Sequence, residues 1–537
     1  MKKILALVLA LCLVLAAVPA FGLELMSGAD IYPLDAADKT ITWYAQDGLN
    51  PHEKFADWKE SPFHTNMSKQ IGVNIEWVIP TTGTDGGTFT NTLMADPANL
   101  PNIMKLGSGG FDNATLYLED EVIWDLTPYI QEYAPAYYAF LQTNPAYDKA
   151  MKTDDGQYYG FGFFREGGGW NDTYQGPVVR TDWLAECGLD FPKTISEFEN
   201  VIRVFNEKYG AKFAAPWSRF KQSPALAGAF GGFAASDQQW AVQDGKVFLG
   251  QAHEGYRAYV SWLNKLWEEG LLDQDIFSLD DTSIKAKVQN GQIGIGYTSM
   301  GQMNNWNKEC EAAGIGAVWA GSPIPKADDG SISSVFGGFG IGTGHIAVIT
   351  KTADEETLKL CLRALDYAYT QEGFLFWNYG LENDTWVWGP EGIPVWTEKM
   401  ANDTDVDPMT KYNGATWGSS CIQADNLLYL KNSKAAIEAN NTWFFVFPED
   451  NEKNLAVTGG WKWPVGTTFT LDEADELDLI AGSIGTYCTE NFASFVTGTL
   501  DVDDDAVWEK YLADFETYNL SRITEIRQAC YDRYAAR

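Results

Sequence analysis

Histidine is scarce in this chain, with four among 537 residues, which disfavours a His-centred catalytic triad or a His-rich metal site. Cysteine adds little. Of seven, Cys12 sits in an N-terminal apolar run, and Cys187, Cys310, Cys361, Cys421, Cys488 and Cys530 are widely spaced with no C-x-x-C. Neither a zinc module nor a dense disulfide framework fits that spacing, and a buried apolar role is the default reading. Basic residues are outnumbered 38 to 73, for a net charge of −35. Such a field repels nucleic acid and anionic lipid head groups, so neither is expected as a partner. G-x-S-x-G, H-E-x-x-H and P-loop patterns are absent. The glycine-rich residues 338–344 lack G-x-G-x-x-G in register and read as close strand–loop packing. The acidic runs 472–476 and 501–505 lack the Gly at loop position six and the Glu at twelve of a calcium loop, and read as helix N-terminal caps. No metal and no cofactor are expected.

Long hydrophobic runs are confined to residues 4–18, which follow Lys2 and Lys3. This run is too short to span a bilayer and reads as a signal peptide over residues 1–22, with small residues at Val18 and Ala20. Residues 23–37 read as a tether. Leu11 before Cys12 is wrong for lipid attachment, so secretion to the extracellular or periplasmic face of a bacterial cell is expected, with anchoring left open.

Aromatics are in surplus. Twenty-one Trp, 25 Tyr and 29 Phe exceed what ordinary cores use, and ring faces with polar tips suit a sugar site or an interface.

Strands are expected at residues 41–45, 73–79, 102–106, 178–180 and 334–341, with helices between them, which is the pattern of a parallel α/β sheet. Gly72 should stop a helix over 57–72, and Pro128 should lie in the first turn of another begun at Asp125. Thr194 and Glu197 form a capping box ahead of Phe198, Val201, Ile202 and Phe205 at helical spacing. Further apolar stripes run through Tyr256–Trp267 and Leu358–Tyr369, and residues 321–325 look like a crossover.

Short matches then line up in order. Asp125-Leu126 with Tyr133-Ala134-Pro135, the Asp155-Gly156…Tyr159-Gly160 turn and the Arg180-Thr181-Asp182-Trp183-Leu184…Gly188-Leu189 segment come first. Leu365-Asp366-Tyr367…Asn378-Tyr379-Gly380-Leu381-Glu382 and the closing Gln528-Ala529…Tyr531-Asp532-Arg533-Tyr534 follow. Together they resemble the long form of the extracellular solute-binding proteins, family 1, the substrate-binding components of carbohydrate ABC importers. Asn102, where the family carries Asp, and Asn383, where it usually carries Gly, depart from that pattern. The resemblance implies a two-lobed periplasmic-binding-protein-like (type II) α/β fold with a hinge and a ligand cleft. It places lobe 1 at 38–170 plus 330–385 and lobe 2 at 171–329 plus 386–537. It also implies a monomer that delivers a carbohydrate, an oligosaccharide, to the importer's permease subunits without catalysis. A secreted glycoside hydrolase or lyase, and a receptor of the same fold for peptides or other solutes, stand as alternatives.

Open α/β sheets bind ligands beyond strand ends, which singles out Asp47, Ser108, Arg165, Trp170, Trp217, Arg219, Tyr297, Trp306, Phe336, Tyr379 and Glu382. Trp217, Tyr297 and Trp306 would stack on sugar faces. Asp47, Arg165, Arg219 and Glu382 would hydrogen-bond to vicinal hydroxyls.

Overall fold

The computed structural model describes residues 23–45, 55, 58–80, 86–106, 113–166, 173–335, 346–389, 392–401, 411–412, 420–424 and 434–537. Two hydrophobic cores organise them. In lobe 1, β1 (Ala36–Ala45) pairs in parallel with β2 (Val73–Trp77) and β3 (Ile103–Lys105), and β3 pairs antiparallel with β11 (Ala347–Ile349), giving the order β11-β3-β1-β2. Along β2 the buried Val73, Ile75 and Trp77 alternate with exposed Asn74 and Glu76, the period of a strand with one face in the core. The preceding helix, Pro62–Ile71, ends at Gly72 in the left-handed region (φ 83°), its N–H bonded back to Ser68. A side chain there would collide with the backbone of Leu34 as well as strain the turn.

In lobe 2, β5 (Gln175–Arg180) lies antiparallel to β9 (Ile293–Ser299) and β10 (Trp319–Gly321), and β6 (Lys212–Ala214) parallel to β9, in the order β10-β5-β9-β6. The helix Ile195–Tyr209 starts at the expected capping box. Glu197 N–H donates to Thr194 Oγ1 at 3.3 Å and Thr194 N–H to Glu197 Oε2 at 3.2 Å. Phe198, Val201, Ile202 and Phe205 point into the core, as do Tyr256, Tyr259, Val260, Leu263 and Leu266 of Glu254–Glu268. Three small pairings complete the strands: β4 (Phe164–Arg165) with β14 (Ile422–Gln423), β7 (Trp240–Gln243) with β8 (Lys246–Leu249), and β12 (Trp386–Trp388) with β13 (Pro394–Trp396).

The cores divide the chain differently from expectation. Residues 23–37 are no free tether. Leu25 and Tyr32 are in the lobe 1 core, and Glu372 accepts the Ser27 hydroxyl (2.7 Å) and the Gly28 N–H (2.6 Å). The first crossing falls between Arg165 and Gln175. Residues 321–325 are not a crossover, since Gly321 is in β10 and Ile324 and Val335 lie in the lobe 2 core, whereas Ile346 lies in that of lobe 1. The chain returns to lobe 2 not at 386 but between Ala424 and Ala436. Asn378 explains why. Its amide donates to Ile422 O at 2.9 Å and its oxygen accepts Ala424 N–H at 2.8 Å, fastening 420–424 to lobe 1. The helix expected from Asp125 begins only at Ile130, with Pro128 in the turn before it. Most of the strand expected at 334–341 lies outside the described residues. Among the described residues no helix is long and apolar enough to cross a membrane, and the six cysteines outside the N-terminal run are free.

The return segment is keyed to lobe 2 by Trp443 of the helix Lys434–Phe444. Its indole lies against Gly176 of β5 and donates to Pro177 O at 3.0 Å. Any Cβ at 176 would collide with that ring. Gly176→Ala is therefore expected to lower stability by about 1–3 kcal/mol in equilibrium urea unfolding.

In lobe 1 the fully buried Asp366 accepts Tyr137 N–H at 2.8 Å and the Tyr32 hydroxyl at 3.3 Å. Burial raises its pKa from 3.8 to about 7. The folded protein thus holds a proton that the unfolded chain releases, so this group's contribution to stability is lost as pH rises from 3.8 through about 7. Asp366→Asn, which keeps the acceptor for Tyr137, is expected to flatten that stretch of a melting-temperature profile against pH.

Candidate functional site

β6 runs directly into the short helix Trp217–Phe220 and then Gln222, while Ser299 at the end of β9 lies beside Gln175, next to the first crossing. The carboxyl ends of the lobe 2 strands are therefore aimed at the lobe boundary, where open α/β sheets bind ligands. Beyond β6 lies a recess of about 290 Å³ lined by Gln222, Pro224, Gln238, Gln239, Trp240, Trp461, Lys462 and Trp463.

Local sequence builds this recess. Asp244 and Gly245, at φ 51° and 76°, make the two-residue Asp-Gly turn that joins β7 to β8. Residues 461–462 run alongside β7, with Val242 N–H donating to Trp461 O at 2.7 Å and Ala241 bridged to Lys462. An extended backbone puts Trp461 and Trp463 on the same side. The helix Leu520–Ala536 holds the hairpin in place. Gln528 accepts Val247 N–H at 2.8 Å and donates to Gly245 O at 2.9 Å. One residue earlier, the Arg527 guanidinium carbon lies 4.7 Å from the Trp240 ring centre, 5.2 Å from that of Trp463 and 5.6 Å from that of Phe469. Burial lowers the Arg527 pKa to about 10, so it remains a cation at neutral pH.

The polar groups divide into committed and unpaired ones. Gln239 accepts Ala235 N–H at 3.1 Å and donates to Gln222 O at 3.3 Å, and the Trp461 indole donates to Val457 O at 2.7 Å. The Trp240 indole N–H is buried without a partner. The side-chain amides of Gln222 and Gln238 make no hydrogen bond among the described residues. Among the described residues no carboxylate lines the recess, and no group of three or more His, Cys, Asp or Glu is placed to hold a metal.

The aromatic wall reaches lobe 1. Trp463 stacks on Phe469 (6.3 Å, 9°), whose N–H donates to Asn113 Oδ1 at 3.1 Å. The Asn113 amide nitrogen is buried and unpaired. Farther along the boundary, Asp154 of lobe 1 receives Arg533 Nε and Arg537 Nε, each at 2.8 Å, and Arg533 also donates to Glu473 at 2.8 Å.

Four expected contacts, Asp47, Ser108, Trp170 and Phe336, lie outside the described residues. Arg165 is half-buried in β4, with its guanidinium 5.6 Å from the Phe163 ring. Trp217 packs edge-on to Phe277 (5.1 Å) at the margin of the lobe 2 core. Arg219 lies 3.8 Å from Asp281, and its Nε is buried without a partner. Three expected contacts offer no face to a ligand. Trp306 is fully buried against Trp319 at 5.2 Å, and Tyr379 is fully buried between Trp386 and Trp396. Tyr297 is enclosed too, because its position in β9 directs it into the core, where its hydroxyl meets that of Ser223. It props the segment carrying Gln222 and Pro224 rather than touching a guest. Glu382 is exposed in a separate lobe 1 groove of about 440 Å³ that also holds Gln70, Glu372 and Trp386. The recess residues themselves escaped the strand-end rule. The signal for them is Trp461-Lys462-Trp463 between Gly460 and Pro464, a pair of rings at strand spacing.

No protein-family model matches the chain. It is 22% identical over 494 residues, 88% of this chain and 86% of the relative, to the fructooligosaccharide ABC transporter substrate-binding protein FusA of Streptococcus pneumoniae serotype 4. Its homologues include ABC-transporter substrate-binding proteins. Among solved structures, the alginate-binding protein AlgQ2 without calcium ion superposes with a TM-score of 0.70 at 18% identity, covering 93% of this chain and 99% of that one. An EF-hand mutant of FusA in complex with fructo-nystose gives 0.69 at 21%, covering 93% and 100%. The chain thus has the two-lobed, type II solute-binding-protein fold.

In that fold, ties between the lobes matter for closure. Asp154→Ala, which leaves two guanidinium groups without their shared carboxylate, is expected to cost about 1–3 kcal/mol in urea unfolding.

Proposed function

We propose that the chain is a secreted receptor that captures an oligosaccharide between its lobes and hands it uncut to the permease subunits of an ABC importer. One observation carries this reading. A recess walled by Trp240, Trp461 and Trp463, with the free amides of Gln222 and Gln238, adjoins lobe 1 through Phe469 and Asn113. Ring faces match the C–H patches of a pyranose or furanose, and planar amides match its hydroxyls. The unpaired Trp240 indole and Asn113 amide are donors that a polyhydroxylated guest would satisfy. FusA, named for fructooligosaccharides, is similar to the chain over most of its length. Arg165 and the segments carrying Asp47, Ser108, Trp170 and Phe336 would supply the lobe 1 half of the cleft. A guest that touches both halves favours the closed arrangement by its extra affinity for it. FusA and AlgQ2 are both named as binding proteins, which favours a guest that leaves intact.

Isothermal titration against a panel of neutral and acidic oligosaccharides tests this. At least one should bind, with a smaller radius of gyration by X-ray scattering and no new reducing ends. Trp463→Ala should weaken that binding about tenfold while the far-UV spectrum stays unchanged. A panel without a single binder, or a guest recovered in fragments, would refute the receptor.

A further inference from the structure

Contacts between the two lobes gather along one segment. Residues 463–470 run out of the recess, from Trp463 in its wall to Phe469, whose N–H reaches Asn113 of lobe 1. Midway, Gly466 (φ 77°) lies against Ala150 of lobe 1 so closely that a Cβ on it would collide with the Ala150 backbone. Arg537 binds both sides of this contact. In its own lobe it donates to Gly466 O at 2.8 Å and to Thr468 Oγ1 at 3.0 Å. Across the boundary it donates to Asp154 Oδ1 at 2.8 Å and to Lys152 O. Arg533 is shared in the same way, with Nε on Asp154 and Nη1 on Glu473, each at 2.8 Å. Lys149 of lobe 1 stands 4.4 Å over the ring of Tyr534. Among the described residues, the ion pairs that join the lobes all end on Asp154.

This clasp is fitted too closely to part and re-form whenever the lobes move. The Arg537 side chain is 10% exposed and that of Asp154 23%, so parting would strand charges already withdrawn from water. Backbone pressed on backbone at Gly466 and Ala150 allows a small rotation but no slide. When one rigid body turns against another, displacement grows with distance from the axis, so contacts that survive the turn lie near it. The position of the clasp suits such an axis. The lobe 1 stretch that carries Asp154 continues to Phe161, which bridges Ala347 of β11, at the sheet edge opposite β2. In lobe 2 the recess from which residues 463–470 emerge lies beyond β6, at the edge opposite β10.

We propose that the clasp of Asp154 and Ala150 with residues 463–470, Arg533 and Arg537 is the pivot of lobe motion, kept intact in the open and closed forms while the β2 and β10 edges separate. The recess is built on the same segment, so its ring wall stays assembled when the lobes are apart and meets a guest before closure. The inference rests on the two-lobed fold and not on the nature of the guest.

Pulsed dipolar spectroscopy on the ligand-free protein tests it, in a Cys187→Ser background that removes the one partly open thiol among those described. Nitroxides at Asp155→Cys and Asp472→Cys flank the clasp, and nitroxides at Glu76→Cys and Val318→Cys report the far edges; all four positions are exposed. The clasp pair should give a single narrow distance, and the far pair a distribution at least about twice as wide. Asp154→Asn should broaden the clasp pair toward the width of the far pair. Arg537→Lys, which keeps the charge and gives up the planar fork, should broaden it less. A clasp distance as broad as the far-edge distance in the protein with Asp154 intact would overturn the proposal, by making these contacts a latch that opens with the lobes. Narrow distances at both pairs would overturn it too, since the lobes would not turn about the clasp at all. A chain that binds no saccharide would still show the expected contrast, so this inference and the receptor reading fail separately.

Discussion

The two hydrogen bonds of Gln528 to the β7–β8 hairpin are the contact on which the candidate site depends. They fix the face of the helix Leu520–Ala536 against the turn at Asp244–Gly245. That register brings Arg527 over Trp240 and Trp463. Two turns later the same helix presents Arg533 and Arg537 to Asp154 of the other lobe, where cations also suit the negative end of a helix dipole. One rigid element thus connects the aromatic wall to the lobe boundary, so a shift of either is transmitted to the other.

Most of the aromatic surplus serves another purpose. Trp58, Trp306, Trp319, Trp386 and Trp443 are sealed inside, as are Tyr44, Tyr137, Tyr256, Tyr259 and Tyr369. Rings of this size remove 150–250 Å² each from water, which lets each lobe hold a core of its own without support from its partner. Independent cores joined by a few crossings are the physical requirement for hinge motion, because closure then disturbs the boundary and not the packing.

Local chemistry was legible in the sequence wherever it is self-contained. The Thr194–Glu197 box, the Gly72 stop, the alternation along Val73–Trp77 and the buried stripe of Glu254–Glu268 are set by neighbours within a few residues, and each stands as read. Lobe assignment after residue 320 was not legible, because it depends on contacts such as Asn378 with 422–424, more than forty residues away. The site shows the same division. A Tyr or Trp after a strand looks alike whether it faces a cleft or a core, and Tyr297 is enclosed because it lies within β9, a central strand buried along its whole length. The Trp461–Trp463 pair gains meaning only once β7 lies beside it, 220 residues earlier in the chain.

The cysteines add a last consequence. Five of the six described thiols are buried, and burial drives those of Cys361 and Cys421 far above the ordinary range and those of Cys488 and Cys530 up to about 12. The reactive thiolate is therefore almost unpopulated at these positions. Among the described residues packing, not cross-links, maintains the shape, and Cys187 alone of these thiols is partly open to an oxidant. Oxidation of that one thiol would therefore mark the surface and leave both cores as they are.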